Sequence, residues 1–280
     1  MSLPGGLSPP ACRRRSGCHQ ADTVDKMEPQ KWMSWLKNRH YDKAPIREAI
    51  IDIQIENRPS LTLLDFENVA ASPPRGYAER QRVMTGQLRG QFEEGVLTAT
   101  AKQDQTGYAF VGGEGKHVVQ FRVNGFTFSR LAPYLTSDQL RNEAKALWNS
   151  YRQVAGTVPV VRIGLRYVNQ LDLPMPMRDL RDFIRLYPEI SSDLPQQIAG
   201  FFMQVQIPQE DLGAMLILNE TMVPPSGPGI ASMVLDIDVF KEGIKLDSDD
   251  DLWSTMEALR LRKNLIFEGC ITNNTRELIS

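Results

Sequence analysis

The chain is poor in cysteine and histidine, with three of each in 280 residues. Cys12 and Cys18 lie near the N-terminus, which leaves Cys270 alone in the body of the chain. A disulfide framework is therefore excluded, and the lone thiol fits a reducing compartment. Cys12, Cys18 and His19 are all metal-ligand types, but their spacing matches no zinc module. His40 and His117 stand apart from any serine or cysteine motif, so a nucleophilic triad has few members to draw on.

Neither sign of charge is in excess: 32 Lys and Arg stand against 34 Asp and Glu, for a net charge of -2. No surplus cation is available to displace counterions from a phosphate backbone, and nucleic acid is not favoured as a partner. Long apolar runs are absent too. Nothing approaches the roughly 18 residues that a membrane-spanning helix needs, and Arg13, Arg14 and Arg15 are not followed by the apolar segment of a signal peptide. The expectation is a soluble cytoplasmic protein with no membrane partner.

Phosphate-loop and calcium-loop signatures also fail on inspection. Gly112 to Lys116 lacks the glycine that a phosphate loop places five positions before its Gly-Lys pair, and His117 stands where Ser or Thr is required. Asp247 to Asp251 resembles the start of an EF-hand loop, yet Leu252 occupies the position of the turn glycine and Ala258 that of the closing glutamate. The first reads as a hairpin loop and the second as an acidic helix start. No metal and no cofactor are expected.

What is present is an ordinary globular composition, 41% hydrophobic and 24% charged, enough to bury a core in one composite domain or two packed ones. Residues 1-26 are rich in Pro, Gly, Ser and Arg and precede Met27, which reads as a disordered extension or an upstream start. Residues 27-190 form an N-terminal half and 191-280 a C-terminal half packed against it. Trp32 to Leu36 suits a short helical turn. Beyond Pro45 the pattern alternates: Ala49, Ile51, Ile53 and Ile55 fall on one face, and Glu48, Ile50, Asp52, Gln54 and Glu56 on the other. Pro73 and Pro74 mark a loop, and Arg82 to Phe92 reads as an irregular strand.

Tyr108 to Val111 and Val118 to Val123 make a hairpin, and Asn124-Gly125 turns the chain into Phe126 to Phe128. Thr136 with Gln139 is a capping box for a helix over 137-154, whose stripe is Leu140, Ala144, Leu147, Trp148 and Tyr151. Gly156 and Pro159 stop it before a strand over Val160 to Val168. A short helix with Leu180, Phe183 and Ile184 follows. The second half then shows strands Phe201 to Ile207, Ala214 to Leu218 and Ser232 to Phe240, a helix over 249-263 with stripe Leu252, Met256, Leu259 and Lys263, and a closing strand over Leu265 to Thr272. The predicted fold is α+β, mainly antiparallel sheet with one longer amphipathic helix per half, the repeated order reading as an internal duplication.

Charges on otherwise apolar strands are the candidate site: Glu48 and Asp52 on the first, Arg162 and Arg166 on the strand after the helix. Burying them is costly unless they are paired. They form either an ion-pair ladder on a solvated sheet face or the lining of a polar groove for a ligand or partner peptide. Phe126, Phe128, Arg130, Pro133 and Tyr134 interleave aromatics with an arginine, as either core packing or a base-stacking surface.

Several blocks in order resemble one family: Pro45 to Asp52, Val119-Gln120-Phe121-Arg122, Gly125 to Tyr134 and Arg162 to Asn169. They resemble the TIGR04255 family of sporadically distributed bacterial and archaeal proteins, over about Pro45 to the C-terminus. The resemblance implies no activity, cofactor or catalytic residue; the sporadic distribution implies an accessory, defence-type system. The leading expectation is a non-catalytic binding or regulatory protein with an unidentified protein or small-molecule partner. The alternative is an enzyme acting on a nucleotide or another phosphorylated small molecule. In that case Arg130, Arg162 and Arg166 would hold the anion, with Glu48 or Asp52 as base or metal ligand. The oligomeric state is not legible in the sequence.

Overall fold

Alternating side chains on one strand settle which way the sheet faces. In β1 (Ile46–Ile55) Ala49, Ile51, Ile53 and Ile55 are buried, while Glu48, Ile50, Asp52 and Gln54 lie on the other face. The computed structural model describes residues 40-280 apart from 72, 94, 95, 135 and 197, with backbone alone at 70, 79, 87-93 and 96-102. The extension over 1-26, Cys12, Cys18 and His19, and the turn at Trp32 to Leu36 lie outside the described residues.

The other strands are β2 (Tyr77–Glu93), β3 (Val96–Gly112), β4 (His117–Arg122), β5 (Gly125–Leu131), β6 (Val160–Pro174), β7 (Phe202–Gln209), β8 (Ala214–Val223) and β9 (Ile230–Leu246). They form one sheet of order β2-β3-β4-β5-β1-β6-β9-β8-β7, with every neighbouring pair antiparallel. The sheet is continuous through residues 39-280, which form a single compact unit. An α+β fold built mainly on antiparallel sheet is therefore what the chain adopts. β3-β4-β5-β1 on one side and β7-β8-β9-β6 on the other have matching connectivity, each followed in the chain by a long helix.

Those helices are α2 (Ser137–Ala155) and α3 (Asp249–Cys270), accompanied by the shorter α1 (Leu63–Ala71) and α4 (Asn273–Ile279). The Thr136 side chain accepts from the Gln139 amide and Gly156 (φ +73°) ends α2, while the Ser248 side chain accepts from the Asp251 amide at the start of α3. Each cap satisfies a backbone N–H that has no partner within its helix. Trp148 and Tyr151 of α2 pack on Phe121 and Phe126. The Lys263 ammonium of α3 lies 3.8 Å from the centre of the Tyr167 ring. Phe126 is paired with Ile53 and Tyr167 with Ala49, so both helices cover the same face of the sheet. The Trp148 indole N–H donates to Asp249 at 3.0 Å, joining α2 to the first turn of α3.

The closing strand and the helices α1 and α4 are where the fold differs from the sequence-based expectation. The closing strand over Leu265 to Thr272 is helix as far as Cys270, because Phe267 and Cys270 continue the buried stripe of Leu252, Met256 and Leu259. Only Ile271 makes a bridge, to Ile184. Helix α1 was not anticipated, although its start is written in Thr62 and Asp65: the Asp65 carboxylate accepts from both the Thr62 amide and hydroxyl. Its Phe66 is fully buried and stacks on Tyr151.

On the covered face, Glu220 of β8 is 1% exposed and neither carboxylate oxygen has a partner among the described residues. Burial pushes its carboxyl up to about 8 from an ordinary 4.5. An acid that holds its proton more tightly when folded gives stability that is complete below the unfolded pKa and is lost as pH rises through the folded one. Urea-denaturation midpoints of the wild type are therefore expected to fall, relative to those of Glu220→Gln, as pH rises from about 5 to about 9. Parallel profiles would mean that the carboxyl ionises as it does in water.

Candidate functional site

The face opposite the helices carries a polar network that crosses seven strands. Asp52 of β1 is held between two arginines: Arg122 of β4 donates to Oδ1 at 2.6 Å and Arg162 of β6 to Oδ2 at 2.9 Å. The Thr127 hydroxyl of β5 donates to Oδ1 at 2.7 Å. Arg166, two repeats of the pleat along β6 from Arg162, makes a two-point contact with Asp236 of β9 at 2.8 and 2.7 Å. This is the planar fork geometry in which arginine and carboxylate interact most strongly. Asn219 of β8 donates to Asp236 at 3.1 Å, and Gln204 of β7 donates to Asn219 at 2.7 Å.

Strand register explains the assembly. Asp52 is opposite Thr127 on one side and Gly164 on the other, and Arg166 is opposite Asp238, next to Asp236 on the same face. At Gly164 a Cβ would sit 3.1 Å from Arg162 Nη1, so a residue without a side chain leaves the guanidinium room to lie across the strand towards Asp52. The same guanidinium lies 4.4 Å from the centre of the Phe240 ring, which adds a cation–π contact.

Together these residues line a groove of about 280 Å³ bounded by Ile50, Asp52, Gln120, Arg122, Thr127 and Arg162, with Gly164, Arg166 and Asp238 completing it. Asp238 has no hydrogen-bond partner among the described residues. Burial pushes its carboxyl above the ordinary value, against the pull of Arg162 and Arg166. The groove thus offers an open acceptor beside fixed donors.

Of the five residues singled out in the sequence, Asp52, Arg162 and Arg166 converge on this groove. Glu48 shares their face beyond its end, accepting from the Ser129 hydroxyl. Arg130 does not join them. It is opposite Ala49 and His117 in the sheet, which turns it to the helix-covered face, 3.8 Å from Glu143 of α2. Glu143 also accepts from the Tyr77 hydroxyl at 2.8 Å and meets His117 Nδ1 at 2.7 Å. Phe126 and Phe128 are fully buried, so that aromatic cluster is core and presents no surface for stacking on bases.

Six participants were not picked out from the sequence: Arg122, Thr127, Gln204, Asn219, Asp236 and Asp238. The alternation that exposes them was legible in Val119-Gln120-Phe121-Arg122 and in Leu235-Asp236-Ile237-Asp238, where every second side chain is polar. Among the described residues no group of three or more His, Cys, Asp or Glu is placed to hold a metal ion, and no helix is long and apolar enough to cross a membrane. No model of a known protein family matches the chain, and neither does any of the curated proteins compared with it.

Asp52→Ala leaves two half-buried guanidinium groups without their shared counter-charge, and is expected to cost about 1–3 kcal/mol in urea denaturation. Asp138→Ala, which removes an exposed helix pair with Arg141, is expected to cost under about 1 kcal/mol. Equal losses would reduce the groove pairs to ordinary surface ion pairs.

Proposed function

We propose that this is a non-catalytic binding protein of regulatory type, which receives a polar ligand or a partner's side chains in the groove across β4, β5, β1, β6 and β9. The observation that carries this reading is the array of arginines held in fixed positions by carboxylates around an open one, Asp238. Side chains already locked by hydrogen bonds lose little freedom on binding, which is the advantage of a preorganised site. Arg122, Arg162 and Arg166 are matched by Asp52, Asp236 and Asp238, so the groove favours a neutral or mixed-charge group over a polyanion.

The alternative, an enzyme acting on a nucleotide or other phosphorylated small molecule, is weakened by this balance and by the loss of Arg130 to the opposite face. The matching strand order on either side of the β1–β6 pair supports an internal duplication. The resemblance to sporadically distributed prokaryotic proteins adds an accessory, defence-type setting to the proposal.

The test is native mass spectrometry of the protein isolated gently from its host, compared with Arg162→Ala/Asp238→Asn and with Arg130→Ala. A retained small molecule or protein is expected on the wild type and on Arg130→Ala, and to fall at least tenfold in occupancy on the groove variant. Retention by the groove variant together with loss from Arg130→Ala would overturn the assignment of the groove.

A further inference from the structure

Strand β7 ends the sheet, and among the described residues no element pairs with its outer edge. A free edge presents unpaired N–H and C=O groups, which proteins usually protect with charge, cover or a bulge. At the other end of the sheet β2 carries Glu79, Arg80, Arg82, Arg89 and Glu93 in its sequence. Strand β7, Phe202-Met203-Gln204-Val205-Gln206-Ile207-Pro208-Gln209, has no charged residue. Phe202 is 69% exposed and Ile207 44%.

By polarity the pattern of β7 is the same read in either direction from Val205, glutamine mirroring glutamine and apolar residues mirroring apolar ones. Gln204 and Gln206 flank it, then Met203 and Ile207, then Phe202 and Pro208. In an antiparallel pair related by a twofold axis perpendicular to the sheet, each residue faces the one equidistant from the axis, on the same side of the sheet. With the axis at Val205, that residue meets its own copy and Met203 meets Ile207. Both contacts lie on the side of Leu218, the buried residue opposite Val205 in β8. On the other side Gln204 meets Gln206, and each amide both donates and accepts. Pro208, which has no N–H, bounds the ladder.

We infer that the protein forms a twofold dimer by antiparallel pairing of β7 with β7 of a second copy, joining two nine-stranded sheets edge to edge. An unrelated peptide would need to match only one strand; a strand that complements itself about its own centre specifies a second copy. The absence of charge means that no like charges are brought together. This inference does not depend on what the groove binds.

Sedimentation equilibrium of the full chain at roughly tens of micromolar is expected to give twice the mass of one chain. Gln204→Lys/Gln206→Lys sets lysine against lysine at exposed positions and is expected to sediment as a single chain, with the wild-type circular dichroism and a thermal midpoint lowered by loss of the pairing. Mixing it with Gln204→Glu/Gln206→Glu is expected to restore the doubled mass, because lysine then meets glutamate. A wild type that sediments as one chain at every concentration, or a lysine variant that stays paired, overturns the proposal.

Discussion

Strands β1 and β6 pair antiparallel over nearly all of β1, and this ladder joins the strands before Gly156 to those after Pro159. On the covered side it sets Ile51 against Leu165 and Ile53 against Ile163, the buried floor under both long helices. On the open side the same register sets Asp52 against Gly164 and brings Arg162 within reach. Because side chains alternate with a period of two, a slip of one residue would send the isoleucines to water and the charges under the helices. The hydrophobic burial of one face thus fixes the geometry of the other.

The open face shows how a sheet can keep charge at its centre. Each arginine reaches a carboxylate on a strand far away in sequence, Asp52 for Arg122 and Arg162, Asp236 for Arg166. Such pairs add little net stability when fully solvated and cost desolvation when buried. The half-buried position of the Asp52 pairs in a groove places them where neither term dominates. What the arrangement secures is position: guanidinium groups that would sample many rotamers are held at defined points.

The covered face follows a different rule. Its aromatic cluster of Phe121, Phe126, Trp148 and Tyr151 meets edge-to-face, tilted or stacked, with ring centres 5.2 to 6.1 Å apart. Polar groups admitted there have partners in most cases, as in the fully buried Glu268–Arg276 pair that ties α4 to the end of α3. The Glu220 carboxylate has no partner among the described residues, and burial alone accounts for its tighter hold on the proton.

Local order was legible in the sequence because its signals are local. The two faces of β1, the cap at Thr136, the acidic helix start at Asp247 to Asp251, the glycine hairpin at 112-116 and the helical stripes of α2 and α3 each depend on spacings of two to four residues. The α+β class follows from those periods. The apolar run at Leu265 to Thr272 was ambiguous between strand and helix, and it took packing of Phe267 and Cys270 on the sheet to make it helical. The site was decided by tertiary pairing alone: Asp236 and Asp238 join Arg162 and Arg166 because β9 lies beside β6, and Arg130 leaves them because the register of β5 against β1 turns it under α2. A spacing along the chain can tell which residues share a face, but which strands become neighbours depends on contacts between segments tens of residues apart, and only the folded sheet supplies those.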